Sequence, residues 1–124
     1  MINLDIRRID ENDYKAICSL YNNELGIKIS QSEFNERVNR ILENVEHDIF
    51  VAVCKENIVG FITVAKSMAI EQDYIKINGI AVKEKYQGQR IGSQLISYVE
   101  NYAKKQNVDL IILNSGCQRE KAHI

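Results

Sequence analysis

Two apolar runs rich in Val, Ile and Phe, residues 48–54 and 58–65, are separated only by the polar tripeptide Lys55, Glu56 and Asn57. So short a polar break forces the chain to turn back on itself, which makes the two runs neighbours in an antiparallel hairpin. After a polar loop at 67–72, a third extended stretch at 74–82 carries Ile75, Ile77, Ile80 and Val82. The flanking segments follow a different period. Tyr14, Ile17, Cys18, Tyr21 and Leu25 recur at spacings of three and four, the stripe of a helix that Gly26 ends. Phe34, Val38, Ile41, Leu42 and Val45 draw a second stripe, opened by Ser30 and Glu33 as a capping box. Before the first helix, Leu4, Ile6 and Ile9 mark a short strand over 3–9, and Asp10 and Asp13 offer N-caps. A third stripe runs through Ile91, Leu95, Tyr98, Val99, Tyr102 and Ala103, with Lys104 and Lys105 at the negative end of the helix dipole. The apolar run 108–113 has strand length and is expected to be buried on both faces. The order is β-α-α-β-β-β-α-β: an α+β fold, a mixed sheet with helices packed on it.

Composition narrows what such a fold does. The chain has 124 residues, 45% hydrophobic and 27% charged, and no proline. A single domain over residues 1–124 is expected, large enough to bury roughly two thirds of its unfolded surface. The formal net charge of -1, with Lys and Arg scattered, supplies no field for gripping a phosphate backbone, so no nucleic-acid partner is expected. The nearly unbroken apolar stretch 58–65 is far shorter than the roughly 20 residues of a membrane helix. The N-terminal residues lack an apolar signal core, so a cytoplasmic location is expected. Cys18, Cys54 and Cys117 are odd in number and widely spaced, the pattern of reduced thiols rather than of a disulfide framework or a metal site.

The segment with chemical content joins the stretch at 74–82 to the third helix. Gln87, Gly88, Gln89, Arg90, Ile91, Gly92 and Ser93 form a strand-to-helix loop with glycines at two positions. The first N–H groups of a helix have no intrahelical acceptor and lie at the positive end of its dipole, so they bind phosphate groups. Gly88 and Gly92 let a bulky anion approach the main chain, and Lys83, Lys85 and Arg90 add positive charge. Spacing alone fits a plain helix-start turn equally well. A Walker loop needs a lysine before Ser93, and a dinucleotide fingerprint needs a parallel unit at the first strand; neither pattern is met.

This segment resembles the signature of the GNAT superfamily of N-acetyltransferases, Q/R-x-x-G-x-G/A between the fourth strand and the third helix. Gln87 through Gly92 sit in that place, Ile80, Ala81 and Val82 look like the end of the fourth strand, and Leu113, Asn114, Ser115 and Gly116 resemble the exit from the fifth. The resemblance spans the chain, which stops short of the family's closing helix and final two strands. Arg90 stands at the motif's first glycine. It is expected to keep φ negative, because a left-handed conformation costs an arginine about 1–2 kcal/mol.

The resemblance implies acetyl-CoA as cosubstrate, with its pyrophosphate on the amides of residues 87–93. Pantetheine would run along Ile80, Ala81 and Val82 and contact Asn114. An amide near Ala81 or Val82 would face the thioester oxygen. It also implies transfer of acetyl to a primary amine of a small molecule or peptide, in a pocket lined by the first two helices and residues 67–73. Where family members often carry a glutamate, this chain has Asn78, which orients water but accepts no proton at neutral pH. Glu24, Glu71, Asp73, His47 and His123 are weak candidates for a base. Tyr86 and Cys117 are poor stand-ins for the family's tyrosine acid, whose position lies just past Ile124. The alternative reading is a truncated coenzyme-A-binding module with weak or no turnover. A homodimer covering the edge of the fifth strand is expected in either case.

Overall fold

In the structure, a computed structural model that describes residues 3–113, these runs and stripes become five strands and three helices among the described residues. They are β1 (Asp5–Arg8), α1 (Tyr14–Asn23), α2 (Gln31–Glu43), β2 (His47–Cys54), β3 (Asn57–Met68), β4 (Asp73–Val82), α3 (Ile91–Lys105) and β5 (Ile111–Leu113). The sheet order equals the chain order, β1-β2-β3-β4-β5. The first four strands are antiparallel neighbours, and β5 lies parallel to β4 because α3 carries the chain back across one face.

Alternation of side chains along the strands builds a core on each face. Phe50, Ala52, Ile62, Val64, Ile75 and Ile77 pack under Leu95, Val99 and Ala103 of α3. Ile49, Val51, Phe61 and Ala81 point the other way, against Ile17 of α1 and Phe34 and Val38 of α2. Aromatic rings join the layers. Tyr98 and Tyr102 lie with ring centroids 4.9 and 5.1 Å from Phe50, and Tyr21 stacks on Phe61 at 5.0 Å. Phe61 is fully buried, which stabilises the fold by about 2 kcal/mol.

Several boundaries differ from the sequence reading, each for a local reason. The β2–β3 turn is two residues long: Cys54 pairs with Asn57, and Lys55 (φ 50°) and Glu56 (φ 69°) are both left-handed. That geometry matches the twist of the flanking strands. β3 runs on to Met68, into the expected loop, and the turn closes with the Ala69 N–H donating to the Gln72 carbonyl at 2.9 Å. Val45 is 90% exposed, not part of the α2 stripe, since Asn44 already has extended backbone. The last strand is not buried on both faces. Ile111 and Leu113 pack toward α3, but Ile112 is exposed, because α1 and α2 lie over β2 and β3 and stop short of β5.

The entry to α1 is held by charge. Asp10 caps a short 3-10 turn (Glu11–Asp13) by accepting from the Asn12 N–H at 3.0 Å. Asp13 does not cap α1. It is buried, accepts two hydrogen bonds from the Arg7 guanidinium at 2.7 and 3.0 Å, and a third from the Asp10 N–H at 2.8 Å. Burial by itself pushes this carboxyl up, but the Arg7 bonds and the Asp10 amide outweigh it and hold the group below the ordinary carboxylate value. A depressed folded-state value means stabilisation that is complete above the unfolded value, about 3.9, and is lost as pH falls through the folded one. Asp13→Asn is therefore expected to lower stability by about 2 kcal/mol at pH 7. In denaturant titrations repeated at decreasing pH, the gap between the two proteins should shrink only below about pH 4.

Candidate active site

The site starts from β4, whose two edges are treated differently. Toward β3 the pairing runs the length of the strand with one dislocation: Thr63 faces Gly79 and Val64 faces Ile77, so Asn78 is the extra residue of a bulge. Toward β5 the described pairing covers Ile75, Lys76 and Ile77. Residues 79–82 have no strand beside that edge among the described residues.

The direction of their peptide groups can be read from neighbouring contacts. The Lys83 N–H donates to the Val59 carbonyl at 2.8 Å. The Ala81 oxygen lies 2.9 Å from where a Cβ on Gly60 would stand, an approach that only glycine permits. Lys83 and Ala81 thus turn into the sheet, and the alternation of peptide directions turns Ile80 and Val82 to the open edge. The Val82 carbonyl accepts there from Gln87 Nε2 at 3.0 Å. This corrects the expectation for Ala81: its amide is directed at β3, and the outward donors are those of Ile80 and Val82. The side chains of Ile80, Ala81 and Val82 are buried, so this edge presents main chain only.

From Val82 the chain passes through a 3-10 turn (Glu84–Tyr86) to the mouth of α3. Arg90, the residue before the helix, has φ 66° and ψ 21°, contrary to the expected negative φ. Gly88 also has positive φ, 86°. Two left-handed residues two positions apart fold the loop back into the helix, and the tertiary path overrides the arginine's preference. The Gln87 N–H donates to the Glu84 carbonyl at 3.1 Å, so the run of open donors begins at Gly88 rather than Gln87. Gln94 is the first residue of α3 whose N–H bonds back, to the Arg90 carbonyl at 3.1 Å. The amides of Gly88, Gln89, Arg90, Ile91, Gly92 and Ser93 have no acceptor among the described residues. A Cβ on Gly88 would meet nothing within 4 Å, so the mouth is open. Lys83, Lys85 and Arg90 belong to this loop and make no ion pair among the described residues; Lys85 Nζ lies 5.6 Å from the Tyr86 ring centroid, and Glu84 is the one carboxylate of the turn.

The opposite side of the bulge opens on a pocket of about 180 Å³ between α1, α2 and the sheet. Tyr21, Phe34 and Ile41 wall it from the helices, and His47, Thr63 and Asn78 from the strands. Thr63 Oγ1 lies 3.1 Å, and the Tyr21 hydroxyl 3.7 Å, from the point a Cβ on Gly79 would occupy. Two hydroxyls therefore converge on the bulge beside Asn78. Tyr21 and Thr63 were not singled out from sequence. The signals were a lone hydroxyl inside the apolar run 58–65 and a phenol in the α1 stripe.

Other expected residues lie elsewhere. Glu24, Glu71 and Asp73 do not line this pocket, and neither does any residue of the loop before β4. Asp73 sits 3.9 Å from Lys66 Nζ instead. Tyr86 packs against the α3-side core. Asn114, Cys117 and His123 fall outside the described residues. No described helix is long and apolar enough to cross a membrane. Among the described residues no three His, Cys, Asp or Glu side chains gather as metal ligands.

Comparison with known proteins gives a consistent result. A profile described as "Acetyltransferase (GNAT) family" matches residues 14–123. Aminoalkylphosphonate N-acetyltransferase of Salmonella typhimurium is 29% identical over 112 residues, 89% of this chain and 70% of that protein. Among solved structures, a GNAT family acetyltransferase from Staphylococcus aureus superposes with a TM-score of 0.83 at 21% identity, over 92% of this chain and 87% of that one. A protein of Clostridium acetobutylicum described as a "predicted acetyltransferase" and solved with acetyl-CoA superposes with a TM-score of 0.73 at 18% identity, over 91% of this chain and 81% of that one. At such identities the structural likeness speaks for the fold.

The backbone at Arg90 has a testable sign. Where φ is negative, glycine is less stable than alanine by about 0.5–1 kcal/mol, through its greater unfolded freedom. At a left-handed residue the order reverses. Arg90→Gly is expected to be more stable than Arg90→Ala by about 1 kcal/mol in paired chemical denaturation; the opposite order would mean that Arg90 keeps negative φ in solution.

Proposed function

The chain belongs to the GNAT acetyltransferase family, and from that premise we propose that it transfers acetyl from acetyl-CoA to a primary amine of a small molecule or peptide. The observation that carries the reading is two groups of open main-chain donors joined by the turn at 83–87. One is the open amides of Gly88 to Ser93, and the other is the outward peptide groups of Val82 and Ile80, leading to the bulge at Asn78. Acetyl-CoA has the complementary order of groups: pyrophosphate, then an amide-bearing arm, then the thioester. The pyrophosphate fits the mouth of α3, where partial positive charge and three basic side chains meet. The arm fits an edge of unpaired peptide groups, and buried side chains behind that edge leave its N–H and C=O groups as the only handles.

The chemistry then needs little from side chains. The acceptor ammonium gives up a proton to a water oriented at Asn78. Its nitrogen lone pair attacks the thioester carbon, the C–N bond forms, and the carbonyl oxygen becomes negative. A fixed N–H from Ile80 or Val82 meets that oxygen and lowers the barrier. The oxyanion collapses, the C–S bond breaks, coenzyme A departs as a thiolate, and the nitrogen releases its second proton to water to leave the neutral amide. A thiol of pKa about 8.5 leaves without prior protonation, so this step calls for no acid from the described residues.

Calorimetry with acetyl-CoA and a thiol-release assay on an amine panel test the reading together. Micromolar binding and amine-dependent thiol release are expected. Gly92→Val, which sets a branched side chain at the helix mouth, should weaken binding at least about tenfold, the equivalent of one lost charge-assisted hydrogen bond. Gly92 is itself buried, so circular dichroism of the variant checks that the fold survives the added volume. Binding without release above background would leave a coenzyme-A-binding module, and no binding at all would remove the donor site.

A further inference from the structure

Beside the bulge pocket lies a second one, of about 210 Å³, lined by Arg37, Arg40, Ile41, Asn44 and His47. Ile41 and His47 line both, so the two form one trough running from Asn78 across the sheet to the C-terminal half of α2. Arg37, Arg40 and Asn44, the polar side chains of its α2 wall, are exposed and can donate hydrogen bonds. Arg37, Arg40 and Asn44 follow at spacings of three and four, one face of the helix. Neither guanidinium makes an ion pair or hydrogen bond among the described residues. Glu33, Glu36 and Glu43 stand at helical spacings suited to such pairs, yet none reaches an arginine within 4.0 Å; the carboxylate that lines the trough is Asp48, on the bulge-pocket side, and it is paired with Arg8 Nε at 2.7 Å. Asn44 Oδ1 is occupied, accepting from the Glu46 N–H at 2.8 Å, which leaves its NH₂ facing outward. His47 Nδ1 is buried without a partner.

A helix C-terminus attracts positive side chains through its dipole, which accounts for a basic residue in the last turn but not for a pocket. We propose that this donor cluster seats an anionic group of the acceptor: the substrate is an amine that carries a phosphoryl, phosphonate or carboxylate group. This deepens the acyl-transfer reading and rests on it. The anion sits against Arg37, Arg40 and Asn44, where a planar guanidinium pairs with two oxygens at once. The amine extends past His47 toward Asn78. His47 is on β2 and Asn78 on β4, two strand spacings apart, so nitrogen and anion are separated by on the order of 10 Å. Arg37 and Arg40 are positioning residues, remote from the bond that forms.

The test is a titration of the full chain, without coenzyme A, against inorganic phosphate, methylphosphonate and acetate, followed by ¹H–¹⁵N chemical shifts. Saturable shifts are expected at the Arg37 and Arg40 Nε–H, the Asn44 side-chain amide and the His47 backbone. The tightest of the three anions identifies the group carried by the substrate. In the double variant R37Q/R40Q, both positions being exposed, the thermal midpoint should hold while anion affinity falls at least about tenfold. Calorimetry with acetyl-CoA on the same variant should match the wild type. Shifts confined to residues 88–93, or equal affinity in the variant, overturn the anion seat and leave the acetyl-CoA reading intact. Loss of acetyl-CoA binding in the wild type strikes that reading instead, and the phosphate shifts at α2 still report on the seat by themselves.

Discussion

A peptide group at the edge of a sheet must bond to something, and water is the partner only where the edge is wet. β4 concentrates that constraint. It pairs with β3 along its length, but with β5 only through Ile77 among the described residues, so the outward groups of Ile80 and Val82 are left for another partner. The bulge at Asn78 makes this possible by adding one residue on β4 where β3 has none, which bends the strand at the point where the described pairing with β5 ends. The loop beyond is tied to the same edge, because Gln87 Nε2 bonds the Val82 carbonyl. A line of donors and a strand end are thus fixed relative to one another by the sheet and a single side-chain bond.

The two cores divide the labour. α3 covers the face carrying Ile75, Ile77, Ile80 and Val82, and so fixes both the mouth of its own helix and the edge beside it. α1 and α2 cover the other face through Phe61 and Ala81, and reach only to the level of Thr63 and Gly79. Where they stop, the sheet is not sealed, and the trough with Tyr21, His47 and Asn78 results. The open edge of β4 and the pocket over the α1/α2 face therefore meet at the same few residues around Asn78, and on the proposed reading this would bring an acyl donor and an acceptor amine together.

Much of this was legible from residue order. The switch from a period of three and four to extended runs located all five strands and three helices, and the polar break at Lys55, Glu56 and Asn57 indicated the first hairpin, though Asn57 proves to belong to β3. Boundaries failed where tertiary packing decided them, as at β3 running to Met68 and at Val45, which continues an apolar spacing after the helix has already ended. The outward direction of Ile80 rather than Ala81 could not be read from sequence, since it depends on the register against β3 and on the bulge. Asp13 has a cap residue's chemistry and a cap residue's place. Only the folded position of Arg7 shows that its carboxylate is spent on another partner.

Arg90 bears on how the mouth of α3 functions. A glycine there would adopt φ 66° at no steric cost, and the arginine holds that conformation without a side-chain cap on the helix. The strain, about 1–2 kcal/mol, is a standing cost to the folded state. It is offset in one circumstance: when a dianionic group sits on the amides of Gly88 to Ser93, a permanently charged side chain anchored at the same residue adds attraction that a glycine cannot give. With Lys83 and Lys85 on the approach, the mouth then has positive charge both from the peptide dipoles and from side chains. The dipole contribution is fixed by the backbone and resists salt at short range, whereas the exposed cations are screened over about 10 Å at 0.1 M ionic strength. Binding should accordingly have a salt-resistant part owed to the helix and a salt-sensitive part owed to Arg90 and the lysines. On the proposed binding mode, the strained arginine would trade folded-state stability for affinity at low ionic strength.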